Sequence, residues 1–119
     1  MKIARAALAI AATLASGLSF AGDADFTLIN KTGYDIREVY VSAANKNNWG
    51  NDRMGSNMLE NNKSRLFKFS DKASCMQDMK VVFDDGDQEV TWPGVDLCEV
   101  EKLTLKYNRS TKEVSALKE

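Results

Sequence analysis

Five aspartates raise the first chemical question. Asp52, Asp78, Asp84, Asp85 and Asp87 carry oxygen ligands of the kind that hold calcium or another hard cation. The spacing of a calcium-binding helix-loop-helix is not met. Counted from Asn45, Trp49 falls at the fifth ligand position and Ser56 at the twelfth, where a bidentate Glu is required. Asp84-Asp85-Gly86-Asp87 also reads as a tight, solvated hairpin turn, because Asp and Gly supply that geometry. No metal ligand set and no cofactor is therefore assigned. A cation-stabilised module stays open as an alternative.

The chain has no histidine. That removes Ser-His-Asp and Cys-His catalysis, histidine-ligated metals and the usual general base near neutral pH. No catalytic residue stands out. A small hydrolase with paired carboxylates remains the alternative from the enzyme class. Two cysteines, Cys75 and Cys98, are not spaced as CxxC and have no histidine to complete a zinc site. In an oxidising compartment such a pair reads as a disulfide.

Residues 45–57, NKNNWGNDRMGSN, combine Asn, Gly and Asp with a single aromatic residue. Trp49, Asn51 and Asp52 are the candidate ligand-binding residues. The indole offers a platform for a sugar or peptide, and the polar side chains offer hydrogen bonds. The competing role for Trp49 is to fold back and cap the open end of the core, with Gly50 turning the chain beside it. Trp92 alternates with Val90 along a strand and is expected in the core.

These residues need elements to position them. Lys2 and Arg5, the apolar run from Ala6 to Leu18 and the small residues Ser19 and Ala21 have the layout of a secretory signal peptide, residues 1–21. The apolar run is shorter than the roughly 20 residues of a membrane-spanning helix. On this reading the first residues lie outside the fold, and residues 22–119 form one domain. Removing Lys2 and Arg5 from 16 basic residues leaves 14 against 17 acidic ones, net −3. No basic patch points to nucleic acid, and no second apolar stretch is long enough to cross a bilayer.

The mature segment reads as short strands between turns. Phe26–Asn30 and Asp35–Ser42 are expected to form a hairpin through Lys31-Thr32-Gly33. In the second strand the apolar positions fall out of phase, which calls for a bulge or for cover on both faces. Ser64–Ser70 makes a third strand. Met79–Phe83 and Gln88–Trp92 form a hairpin around Asp85-Gly86, ended by Pro93-Gly94. That register sets Cys75 near Asp96, two residues from Cys98. Val100–Tyr107 and Thr111–Leu117 make a last hairpin, with Lys102, Thr104 and Lys106 toward solvent. Lys102, Lys106 and Lys112 are placed to protect a sheet edge that could otherwise accept a partner strand. The expected fold is all-β, a single antiparallel sandwich or partly open barrel of about seven strands. The sequons at Asn30, Asn62 and Asn108 all fall in turns and are read as turn chemistry.

Six stretches form a pattern: F-x-L-x-N-x-T-G-x-x-I at Phe26–Ile36, Y-V-S at Tyr40–Ser42, W-G-N-D at Trp49–Asp52, F-D-D-G-D at Phe83–Asp87, W-P-G-V-D-L-C-E-V at Trp92–Val100 and L-T-L-K-Y at Leu103–Tyr107. In these residues the chain resembles a family of small secreted or periplasmic bacterial proteins of unknown function. The resemblance implies a periplasmic β domain and no particular activity. An argininosuccinate lyase label, where relatives carry it, does not transfer. Such a lyase is a large helical tetramer with shared active sites, and nothing here resembles it. The expected function is non-catalytic binding or protein interaction in the bacterial periplasm or outside the cell. The expected partner is an unnamed protein or small ligand, and carbohydrate- or peptide-binding is one form it would take.

Overall fold

The computed structural model describes residues 5–10, 24–44, 46 and 48–119. Eight strands follow in order: β1 (Arg5–Ile10), β2 (Phe26–Lys31), β3 (Ile36–Ala43), β4 (Ser64–Phe67), β5 (Met76–Phe83), β6 (Glu89–Asp96), β7 (Lys102–Asn108) and β8 (Glu113–Lys118). One sheet has the order β1-β8-β7-β2-β4, the other β3-β5-β6. The sheets do not close into a barrel, and the chain is an all-β sandwich. Among the described residues no helix is long and apolar enough to cross a membrane. Two pairings, β2 with β7 and β1 with β8, run parallel, so the larger sheet is mixed.

The inner faces follow the alternation of apolar residues. Phe26 and Leu28 of β2, Leu103 and Leu105 of β7, and Val114 and Ala116 of β8 are buried against Val39 and Val41 of β3, Met79 and Val81 of β5, and Val90 and Trp92 of β6. Trp92 is in the core, as its alternation with Val90 requires. In β3 a bulge between Ile36 and Glu38 resolves the phase conflict and lets Ile36, Val39 and Val41 all point inward.

Four local expectations are corrected. β2 and β3 do not pair as a hairpin; they belong to opposite sheets, and the chain crosses between them as an arch. The cause is Asn30, which is fully buried and bonds across the arch. Its Nδ2 donates to the carbonyls of Tyr34 (2.7 Å) and Leu59 (2.9 Å), and its Oδ1 accepts from the N–H (3.1 Å) and hydroxyl (2.7 Å) of Thr32. The third strand stops at Phe67, yet Phe69 still stacks on Phe26, with ring centroids 6.2 Å apart. Pro93-Gly94 does not end β6. The strand runs on to Asp96 through a bulge in which Gly94 takes φ +62 and donates its N–H to Asp78 Oδ1 at 2.8 Å. Thr104 is buried rather than solvent-facing, because Ile29 and Leu117 sit directly beside it on the neighbouring strands.

A fifth difference lies at the N-terminus. Arg5–Ile10 forms β1, paired with β8, where the sequence reading leaves these residues outside the fold. The expected cleavage site, Ser19-Phe20-Ala21, lies outside the described residues. Cys75 and Cys98 are joined in a disulfide with Cα atoms 5.1 Å apart.

Candidate functional site

The Asn-rich stretch runs along the free edge of β3; its residues 45 and 47 lie outside the described residues. Asp52 and Arg53 hold it there as a substitute for a paired strand. Asp52 Oδ1 accepts from the N–H groups of Val39 and Met54, both at 2.9 Å, and the Arg53 N–H donates to the Val39 carbonyl at 2.8 Å. The Arg53 guanidinium donates to the Val41 carbonyl (3.3 Å) and lies 4.5 Å from the Phe69 ring centroid. Burial pulls its pKa below the ordinary arginine value. The carboxylate of Asp52, a candidate ligand group, is thus bonded to backbone.

Met54, not Trp49, enters the core. Its side chain is 2 % exposed, and its carbonyl accepts from Arg65 at 3.2 Å. Trp49 lies outside the core cluster, half-buried on the outer face of the three-stranded sheet. Gly50 makes this placement possible. It takes φ +67 directly after the indole, and its N–H bonds Asn48 Oδ1 at 3.1 Å. The Ser42 hydroxyl donates to the Asn48 carbonyl at 2.5 Å, tying the turn to β3. Asn51 is exposed at the rim.

Beneath Trp49 lies a cluster that the sequence reading did not single out. Tyr40 on β3 is directly opposite Lys80 on β5, and Lys80 is directly opposite Thr91 on β6. The Lys80 ammonium sits 4.7 Å from the Tyr40 ring centroid and 5.1 Å from that of Trp49, so it is held between two π faces. The Tyr40 hydroxyl donates to Glu38 Oε1 at 2.6 Å, and Arg37 Nε lies 3.3 Å from Glu38 Oε2. Arg37 also pairs with Asp87 at the tip of the β5-β6 hairpin. That hydrogen bond to Asp87, with the nearby negative charges, raises the Arg37 pKa.

The Tyr40 pKa is pushed up to about 12, first by the hydrogen bond its hydroxyl donates to Glu38, then by burial and by the charges of Glu38 and Asp52. Raised above its ordinary value of 10, the group favours the folded state below that value, and the contribution is lost as pH climbs through about 12. In an alkaline absorbance titration Tyr40 should therefore ionise near pH 12, and Glu38→Gln should bring that step back toward the ordinary tyrosine value. An unmoved step in the variant would show that Glu38 does not hold the phenol.

An open depression of about 330 Å³ adjoins Trp49, lined by Val41, Ser42, Asn48, Trp49, Gly50, Asn51, Asp52 and Arg53. Trp49, Asn51 and Asp52 are thus brought together, and among the described residues Asp52 is the one carboxylate lining the depression. The other acidic candidates go elsewhere. Asp78 accepts from Gly94, while Asp84, Asp85 and Asp87 are at the hairpin tip. Among the described residues the one group of three metal-capable side chains is Cys75, Asp96 and Cys98, and its two sulfurs are bonded to each other.

Tyr40 and Lys80 had a signal in the sequence: each lies between two residues that face the core. What the alternation could not supply was the strand pairing that sets them side by side, or the loop that lays Trp49 over both. Comparison with protein-family models, curated proteins and solved structures finds no match, so the functional reading rests on this geometry.

Proposed function

We propose that this chain is an exported, non-catalytic binding domain of the bacterial periplasm or exterior, as its resemblance to small secreted proteins implies. Its ligand would rest on the outer face of β3-β5-β6, against Trp49 and the rim residue Asn51. The observation that carries this reading is the position of Trp49. A large aromatic side chain left out of a small core, braced by Lys80 and beside an open depression, suits contact with a sugar ring or an extended peptide. Asp52 serves by fixing the loop to β3. The Cys75–Cys98 disulfide is compatible with an oxidising compartment. A carboxylate-dependent hydrolase would need a second carboxylate beside Asp52, and among the described residues that line the depression Asp52 is the one carboxylate.

The test uses Trp49 as its own reporter. With Trp92→Phe, Trp49 is the single remaining tryptophan of the two in the chain. Panels of oligosaccharides and short peptides, and capture from periplasmic extract, are compared between this protein and Trp49→Ala. Binding should shift the Trp49 emission saturably, and Trp49→Ala should lose that binding at least tenfold, about 1.4 kcal/mol. Its melting temperature should stay nearly unchanged, since the indole is not in the core. If Trp49→Ala retains the same ligands and captured partners, the depression is not the site.

A further inference from the structure

The strand edges of the sandwich are not treated alike. The β3 edge is capped by Asp52 and Arg53 at Val39, and by a bridge in which Ile36 and Leu59 exchange N–H···O bonds of 2.9 Å each. The β6 edge carries Pro93, which has no N–H, and the Gly94 bulge. β4 is four residues long and includes Arg65. These are ordinary ways to stop a sheet from adding strands. β8 differs. It runs for six residues, EVSALK, without Pro or Gly, and its outer side is occupied by β1 in parallel register from Arg5↔Glu113 to Ile10↔Lys118. The segment seated there, RAALAI, is one basic residue followed by small and apolar ones, and the register sets Arg5 level with Glu113. β1 also comes alongside β6 of the other sheet.

We propose that the β8 edge is a strand-acceptor site. In the uncleaved chain it is filled by the leader's own strand. After leader removal it takes a parallel strand of a different protein rather than of a second copy, with a basic residue level with Glu113 and small or apolar residues level with Val114–Lys118. This rests on the export reading, in which the segment containing β1 is removed. The main-chain ladder supplies affinity, and the level of the basic residue sets the register. Opposite charges at matched positions favour one alignment over slipped ones.

The experiment uses the full chain. Leu8→Pro places proline in the middle of β1, where its ring fixes φ near about −65° and disfavours the extended conformation that the ladder needs. Hydrogen exchange of the β8 amides that face away from β7 should then quicken by about tenfold or more, while the β5 and β7 amides stay protected. A peptide carrying residues 4–11, added in excess, should restore the β8 protection, and the same peptide with Leu8→Pro should not. Should Leu8→Pro unfold the chain, Arg5→Glu decides. It sets like charges level with each other, so exchange should rise severalfold, by roughly the cost of a like-charge pair, and Glu113→Arg in the same chain should reverse the rise.

Unchanged β8 exchange in Arg5→Glu overturns the proposal. So does a peptide that fails to restore protection in a folded Leu8→Pro chain. Protection of that variant that grows with its own concentration would also overturn it, because the occupant would then be a second copy. Sequencing the N-terminus of the exported protein tests the premise: a chain that still carries Arg5–Ile10 keeps its edge filled and takes no partner strand. β8 lies in the sheet away from Trp49, so failure of the Trp49 test leaves this one standing, and the reverse holds.

Discussion

Asn30→Ala should lower the stability of the domain by about 3–5 kcal/mol, the largest loss expected from any single polar substitution in the chain. Four hydrogen bonds converge on this side chain, and it is fully buried. Alanine removes all of them and leaves the buried Thr32 N–H without this partner, at a cost of about 1–3 kcal/mol, while the Leu59 carbonyl keeps only the Ile36 N–H. The bonds join β2, the arch residues Thr32 and Tyr34, and the bridge residue Leu59, so the arch between the sheets loosens at one point. For a domain of this size the midpoint of thermal unfolding should fall by roughly 12 °C or more. Asn30→Asp should be at least as harmful, because a carboxylate cannot donate to Tyr34 and Leu59 and would bury a charge. Asn108→Ala is the comparison. Asn108 heads the same type of tripeptide, but it is exposed, and the bonds it accepts come from Ser110 and Thr111 within its own turn. Its loss should cost about 1 kcal/mol or less. Equal effects at the two positions would remove the arch argument.

Loss of the disulfide is the second large effect. Replacing both Cys75 and Cys98 by Ser should destabilise the chain by about 3 kcal/mol, the chain-entropy value for a loop of this size. The bridge spans 23 residues and closes the open end of the β5-β6 hairpin. The native structure around it is already fixed by backbone: the Leu97 N–H donates to the Cys75 carbonyl at 2.9 Å, and the Cys98 N–H donates to Asp96 Oδ1 at 3.1 Å. The double variant should therefore keep its fold and its denaturant slope nearly intact while its midpoint drops. Two alkylatable thiols in the native protein would show that the bridge does not form in solution.

The β5-β6 hairpin was legible because both of its determinants are local. Asp85-Gly86 fixes the turn, and Val81 and Val90 fix which residues face inward; the observed pairs Lys80↔Thr91 and Val81↔Val90 follow the expected register. Beyond Trp92 the register moves by one residue, because Gly94 can take positive φ and Pro93 cannot pair through an N–H. The move brings Cys75 level with the residue before Cys98, which a hairpin read as ending at Pro93-Gly94 could not reveal.

The candidate site was legible in a different way. Trp49, Asn51 and Asp52 stood out because local turn chemistry explained them least, and they do share one depression. Their roles were not readable. Asp52 binds backbone, and Met54, five positions after Trp49, fills the core place that the capping role would give to Trp49. A sequence records that a loop holds two large side chains; which one enters depends on the shape of the gap between the sheets.

Taken alone, the sequence determined the strand-forming segments, the all-β class, the candidate disulfide and the absence of histidine chemistry, since each depends on residue type and short-range alternation. Tertiary structure decided which strands share a sheet, that Asn30 is an arch bond rather than a surface turn, that Lys80 lies between Tyr40 and Trp49, and that β1 lies on β8. All four are contacts between distant parts of the chain. Period-two alternation assigns each residue a face, but it carries no record of the neighbour across the ladder. That neighbour is selected only when all the faces are buried together.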